Sequence, residues 1–165
     1  MTPKNFVDRL SDVRLAATFN PYRDRCPVND REDAARIRRT NLQTYLEAAI
    51  DCRVDTVWIA RDLGYRGGRR TGLPLTDEPH LPDAGELLGG VGFGRATKGP
   101  DVAETTARVV WNALRGVSSP AVFWNVFPFH PHKPGNPFSN RCHSKAERAA
   151  TSEFLRALLL LIKPT

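Results

Sequence analysis

The amino-acid sequence predicts an α/β fold, a three-layer α/β/α domain around a short, mostly parallel central sheet. Two short segments, residues 56–60 and 121–127, are apolar and rich in β-branched and aromatic residues, the composition of buried strands. Each brings a polar residue to its end, Asp62 after the first and Asn125 within the second. Around them, longer stretches repeat apolar residues at helical spacing, and such alternation builds parallel sheets covered by helices. At 165 residues the chain has the length of one domain.

Taken in order, residues 4–16 read as a short helix, followed by the turn formers Asn20-Pro21-Tyr22 and Cys26-Pro27-Val28-Asn29-Asp30. A helix is expected over residues 30–49, with Ala35, Leu42, Tyr45, Leu46 and Ala49 on one face. Arg36, Arg38 and Arg39 take other wheel positions and read as a solvated face. Thr56-Val57-Trp58-Ile59-Ala60 is the first strand. Residues 76–100 hold many prolines and glycines and read as a long irregular excursion, which in a compact domain is often functional. Asp101-Val102-Ala103-Glu104 opens a helix with Ala103, Ala107, Val110 and Leu114 inward, ending near Gly116. Residues 121–127 are the second strand, and the proline-rich residues 128–137 cannot form a helix. Ser144-x-x-Glu147 is a capping box that starts an amphipathic helix with Ala150, Phe154, Leu158 and Leu161 inward. Trp58, Trp111 and Trp124 are assigned to the core. A final apolar helix and a Lys163-Pro164 turn would ordinarily lead into another strand, so the chain is expected to be a C-terminally truncated form of a longer domain, lacking its last strand.

Composition narrows the function. Lys and Arg number 24 against 18 Asp and Glu, for a formal charge of +6, a balance that favours a polyanionic partner such as nucleic acid. Arginine far outweighs lysine, as suits phosphate recognition, and a coding bias explains it equally well. Cys26, Cys52 and Cys142 are too scattered for a disulfide framework or a metal motif. His130-x-His132 with Cys142-His143 supplies ligand types for zinc but no common zinc spacing. The amino-terminal residues lack the apolar core of a signal peptide, and the run over residues 158–162 is too short to span a bilayer. A cytoplasmic, monomeric protein with no membrane contact and no cofactor or metal is expected.

Asp62-Leu63-Gly64-Tyr65-Arg66-Gly67-Gly68-Arg69-Arg70-Thr71-Gly72 carries most of the functional signal. In α/β proteins ligands sit beyond the carboxyl ends of parallel strands. Glycines permit close backbone approach, and Arg66, Arg69 and Arg70 offer bidentate donors to phosphate. Either a site for a nucleotide-like anion or a solvated turn fits these residues.

The loop "GYRGGRRTG" followed by Leu75-Thr76-Asp77-Glu78, together with "WNVFPFHPH" over residues 124–132 and Asn140-Arg141, resembles the uracil-DNA glycosylase superfamily, in particular a bacterial branch with these segments. The resemblance runs from about residue 20 to the end of the chain. It implies four strands in the order 2-1-3-4, the last absent here, and base excision from DNA. By that resemblance Asp62 takes the place of the residue that positions or activates water, in the run Ala60-Arg61-Asp62-Leu63-Gly64. Arg61 and Leu63 depart from the family's pattern, which has an amide or acid and a proline there. Asn125 is the expected reader of the uracil edge and Tyr65 the aromatic that stacks on the flipped base. Gly64 and Leu75 border the base, Leu75 standing where some relatives place Phe. Arg66, Arg69 and Arg70 face phosphate, and Asn140-Arg141 either touches backbone phosphate or holds the loop.

These residue types suit the chemistry. Breaking an N-glycosidic bond leaves an oxocarbenium-like sugar and an anionic base, so a carboxylate belongs near the sugar and donors near the base. Asn125 can donate to O4 and accept from N3–H of uracil, whereas cytosine reverses that pattern. The family's histidine-containing second motif has no counterpart here; His130, His132 and His143 lie between the Asn125 strand and the last helix, and weak or absent activity is expected. Two functions remain open at this point: a metal-free glycosylase acting on uracil in DNA, and a nucleic-acid-binding member of the same superfamily with impaired catalysis.

Overall fold

Two parallel strands organise the molecule. The computed structural model describes residues 1–117 and 119–164. In it β2 (Thr56–Asp62) lies beside β3 (Ala121–Phe127), with Thr56 opposite Ala121 and Asp62 opposite Phe127. A parallel pair needs a long crossover, here residues 63–120, which opens with the one-turn helix α3 (Gly68–Thr71). The two-residue β1 (Thr18–Phe19) and β4 (His130–Pro131) form a separate antiparallel pair. Among the described residues the parallel sheet has two strands, fewer than the three that the resemblance leaves to this chain, and the two-residue pair was not anticipated from the proline-rich sequence.

Both faces of β3 are covered. Val122 and Trp124 enter a core made with α1 (Pro3–Asp12), α2 (Ala34–Asp51) and α6 (Lys145–Ile162), which contribute Phe6, Leu42, Leu46, Phe154 and Leu158. Ala121 and Phe123 enter a second core with Ala84 of α4 (Leu81–Leu87) and Ala107, Trp111 and Leu114 of α5 (Thr105–Leu114). A strand buried on both faces reads as a continuous apolar run, and residues 121–127 do so apart from Asn125. The β3 backbone is also anchored laterally, since Phe123 N–H donates to Tyr45 Oη of α2 at 2.6 Å.

β2 is less protected. Trp58 is 39% and Ile59 46% exposed, so Trp58 is not the core residue that its composition suggested. Trp111 and Trp124 are buried as expected.

Helix boundaries shift where side chains compete for the ends. α1 starts after Thr2, whose hydroxyl accepts from Asn5 N–H, and stops at Asp12, where the Asn20 amide donates to the Leu10 and Val13 carbonyls. α2 begins at Ala34, and Arg38 faces inward instead of solvent, bonded to Asp30 at 2.5 Å and to the Arg70 carbonyl at 3.0 Å. α5 begins at Thr105, leaving Ala103 exposed, because the Asp77 carboxylate accepts the Glu104 N–H and caps the helix from outside. The capping box at Ser144 forms in full, and α6 turns Thr151, Phe154, Ala157, Leu158 and Ile162 inward while Ala150 is exposed. The excursion over residues 76–100 contains a short 3-10 turn (Glu78–His80) and α4. That helix was hidden by Gly85, where any side chain would collide with the Val91 carbonyl.

Candidate functional site

The carboxyl end of β2 opens into a cavity of about 220 Å³ lined by Ala60, Arg61, Asp62, Leu63, Gly64, Gly68, Leu75, Glu104, Thr106 and Asn140. That is below the ~300–1,000 Å³ of drug-sized sites and suits a single base. β2 delivers Asp62, the start of α5 delivers Glu104 and Thr106, and the segment before α6 delivers Asn140.

Asp62 is nearly buried. Its Oδ2 accepts from Arg61 Nε at 2.9 Å and lies 3.3 Å from His143 Nδ1. The Arg61 side chain is 61% exposed, so the carboxylate is tied to a cation at the cavity mouth.

Asn125 sits in register with Ala60, the innermost strand residue lining the cavity. It is 1% exposed, and neither its amide nitrogen nor its amide oxygen has a partner. A buried polar group left unpaired costs about 1–3 kcal/mol. Native interiors satisfy such groups unless a role requires otherwise. Donor and acceptor are both unspent at one side chain, which is not itself part of the cavity lining but belongs to the strand neighbour of Ala60.

Leu75 lines the cavity with φ +52°, a left-handed conformation that costs a branched side chain on the order of 1 kcal/mol or more. Trp111 Nε1 donates to its carbonyl at 3.1 Å and holds it there. Tyr65 does not line the cavity. Its ring packs on Phe138 and His130 and under the Arg66 guanidinium, while its N–H donates to Asn140 Oδ1. Leu75, not Tyr65, therefore presents the apolar surface inside the cavity.

Gly64 and Gly67 are glycines for an internal reason. A methyl group at Gly64 would strike Glu104 Oε1, and one at Gly67 would strike Oε2. The loop backbone lies against a carboxylate of the chain itself, where the sequence suggested a bound anion.

Of the four arginines considered for phosphate, only Arg66 is exposed. Arg69 is 5% exposed, donates to the Pro137 carbonyl and stacks 4.1 Å from the Phe19 ring centre; burial pulls its pKa down. Arg70 donates to Glu78 at 2.8 Å and to Thr97 at 3.0 Å in the interior. Arg141 is bidentate to Glu147 at 2.6 and 2.8 Å and donates to the His132 and Ala17 carbonyls. These three hold the loops and the start of α6 through bonds to the chain itself. Arg61, which the sequence singled out only as a departure from the family pattern, joins Arg66 at the exposed rim.

His130 is buried and neutral: desolvation, with Arg69 nearby, lowers its pKa to about 3. Its Nε2 faces the Ser139 carbonyl at 2.9 Å and Asn140 Oδ1 at 3.2 Å, so that nitrogen carries the proton. The ring thereby orients Asn140 toward the cavity's loop. Among the described residues no three His, Cys, Asp or Glu side chains converge to hold a metal, and no helix is long and apolar enough to cross a membrane.

Glu104 and Thr106 were missed because the run Asp101-Val102-Ala103-Glu104 read only as a helix start. A larger hollow of about 500 Å³ between α4 and α5 is lined by His80, Asp83, Glu86, Trp111 and Arg115 among others. It receives no residue from either strand end, so the smaller cavity is the better candidate. Comparison with protein-family models, with curated proteins and with solved structures finds no match.

Proposed function

We propose that this chain is a glycosylase that hydrolyses the N-glycosidic bond of uracil, or of a related deaminated base, in DNA. The observation that carries the reading is Asn125: a buried amide with both hydrogen-bonding groups free, in register with Ala60, which with Asp62 lines a base-sized cavity. An amide in that state is poised to pair with a ring presenting one acceptor and one donor side by side, as uracil O4 and N3–H do. Rejection of cytosine follows from the reversed pattern, which leaves both partners unpaired. Asp62 orients water and stabilises the cationic sugar. Arg61 and Arg66 at the rim meet the flanking phosphates, and the base enters flipped from the stack. Helices on both faces of β3 support the three-layer α/β/α architecture that the glycosylase reading carries with it.

A second reading, a nucleic-acid-binding protein of the uracil-DNA glycosylase superfamily with impaired catalysis, is favoured by one observation: Asp62 Oδ2 is already engaged by Arg61 and His143. Binding of single-stranded oligonucleotides that differ only in one uracil or one thymine tests the specific pocket. The glycosylase reading predicts a uracil preference that Asn125→Asp abolishes in a variant that still melts cooperatively. Equal binding of both oligonucleotides by the unmodified chain would refute base readout.

A further inference from the structure

Among the described residues, Glu104 is the cavity carboxylate without a hydrogen-bond donor. Its N–H is held by Asp77, but among the described residues no donor bonds either carboxylate oxygen. The oxygens lie against the backbone of Gly64 and Gly67, and both glycines are required for that approach. Asp62, in contrast, is bonded to Arg61 and His143. One cavity thus holds two carboxyl groups in opposite surroundings, the arrangement that divides acid from base at a hydrolytic site.

We propose that Glu104 is a catalytic acid of this cavity, giving a proton to a carbonyl oxygen of the departing pyrimidine. The proposal rests on the glycosylase reading. As the C1′–N1 bond breaks, its electron pair stays on the base, and the Glu104 O–H proton moves to that base, which leaves neutral. Water attacks C1′ on the sugar and passes a proton to Asp62. Exchange with solvent returns the proton to Glu104, so one water is consumed and both carboxyl groups are restored. No histidine is needed to neutralise the leaving group.

The surroundings keep a substantial share of Glu104 protonated near neutral pH. Burial and the neighbouring Asp77 push its carboxyl up to about 7, against the pull of Arg66. The charged groups that face it are Asp77 before the 3-10 turn, Arg66 of the glycine loop and Asp62 at the end of β2. A general acid acts only while protonated, so activity belongs on the acid side of that value and falls as pH rises through it.

The test is single-turnover excision from single-stranded oligonucleotides carrying uracil or 5-fluorouracil, across pH 5.5 to 9, for the unmodified chain and Glu104→Gln. Fluorine stabilises the departing anion and lessens the need for a proton. The expected result is a uracil rate that falls above about pH 7 and is reduced by about 10²-fold or more in Glu104→Gln, with fluorouracil affected far less by either change. A variant that keeps the uracil rate and the pH profile would overturn the proposal while leaving the glycosylase reading intact. Equal losses on both bases would mark Glu104 as structural and also overturn it. No excision of either base by the folded, unmodified chain would refute the glycosylase reading and this proposal with it. Should Glu104→Gln fail to fold, the unmodified chain still decides: equal pH dependence for the two bases contradicts a proton donor.

Discussion

Replacing Arg70 by Met removes the guanidinium that joins Glu78 and Thr97 in the interior. The two charged side chains are 9% and 1% exposed, so water cannot take over. Burial alone would push Glu78 up, and the bonds from Thr97 and Arg70 overcome that and hold it below its ordinary value. Removing one partner of a buried pair costs about 3–5 kcal/mol. Arg95, 3.3 Å from the other Glu78 oxygen, and Thr97 remain, which places the loss near the lower end. At about 2–4 °C per kcal/mol for a chain of this size, a loss of about 3 kcal/mol lowers the melting midpoint by about 6–12 °C. Thermal melting followed by circular dichroism reads this directly. Arg66→Met, at an exposed position, should stay within about 0.5 kcal/mol of the unmodified chain. Salt titration of single-stranded DNA binding should separate the two in the opposite sense. Loss of one phosphate contact shallows the log affinity versus log salt slope by about 0.7, so Arg66→Met should show it and Arg70→Met should not. An Arg70→Met chain that melts normally and binds with the shallower slope would refute the structural assignment of this arginine.

Gly64→Ala places a methyl group against the Glu104 carboxylate, the mobile end of a side chain. Melting should therefore change little while uracil excision falls by about tenfold or more, and Gly92→Ala, which meets nothing, should leave excision intact; equal rates for both variants would contradict the cavity. Ser144→Ala removes the N-cap of α6 and should cost about 1 kcal/mol, or about 2–4 °C in melting midpoint, a shift that an unchanged melt would disprove. Glu147 is lowered from its ordinary 4.5 to about 2, first by the hydrogen bond from Arg141. A carboxyl whose folded value lies below its unfolded one stabilises above the unfolded value and loses that contribution as pH falls through the folded one. Arg141→Gln should therefore flatten the decline in urea midpoint between about pH 4.5 and pH 2, and an unaltered acid limb would show that the pair contributes nothing.

The parallel pair was legible because β3 is buried on both faces, and a strand of that kind leaves no room for polar residues except where one is used. Asn125 stood out in the sequence for that reason. Ser144 and Glu147 were equally plain, since a capping box is a local device that needs no tertiary partner. Arg38, Arg69 and Arg70 were misread for the opposite reason. Whether a guanidinium meets phosphate or a buried carboxylate depends on residues far along the chain, such as Asp30 for Arg38 and Glu78 for Arg70. Trp58 shares the composition of Trp124, yet only Trp124 has helices packed around its strand on both faces. Glu104 was invisible because its meaning lies in the backbone of Gly64 and Gly67, and no pattern within residues 101–104 reports that contact.

The most direct measurement is excision of uracil from a labelled single-stranded oligonucleotide by the unmodified chain and by Asp62→Asn at equal concentration, with both melts recorded. Abasic product from the unmodified chain and a loss of about 10²-fold or more in the variant are expected. A folded chain that releases no uracil, or an Asp62→Asn variant that releases it at the same rate, would contradict the glycosylase reading.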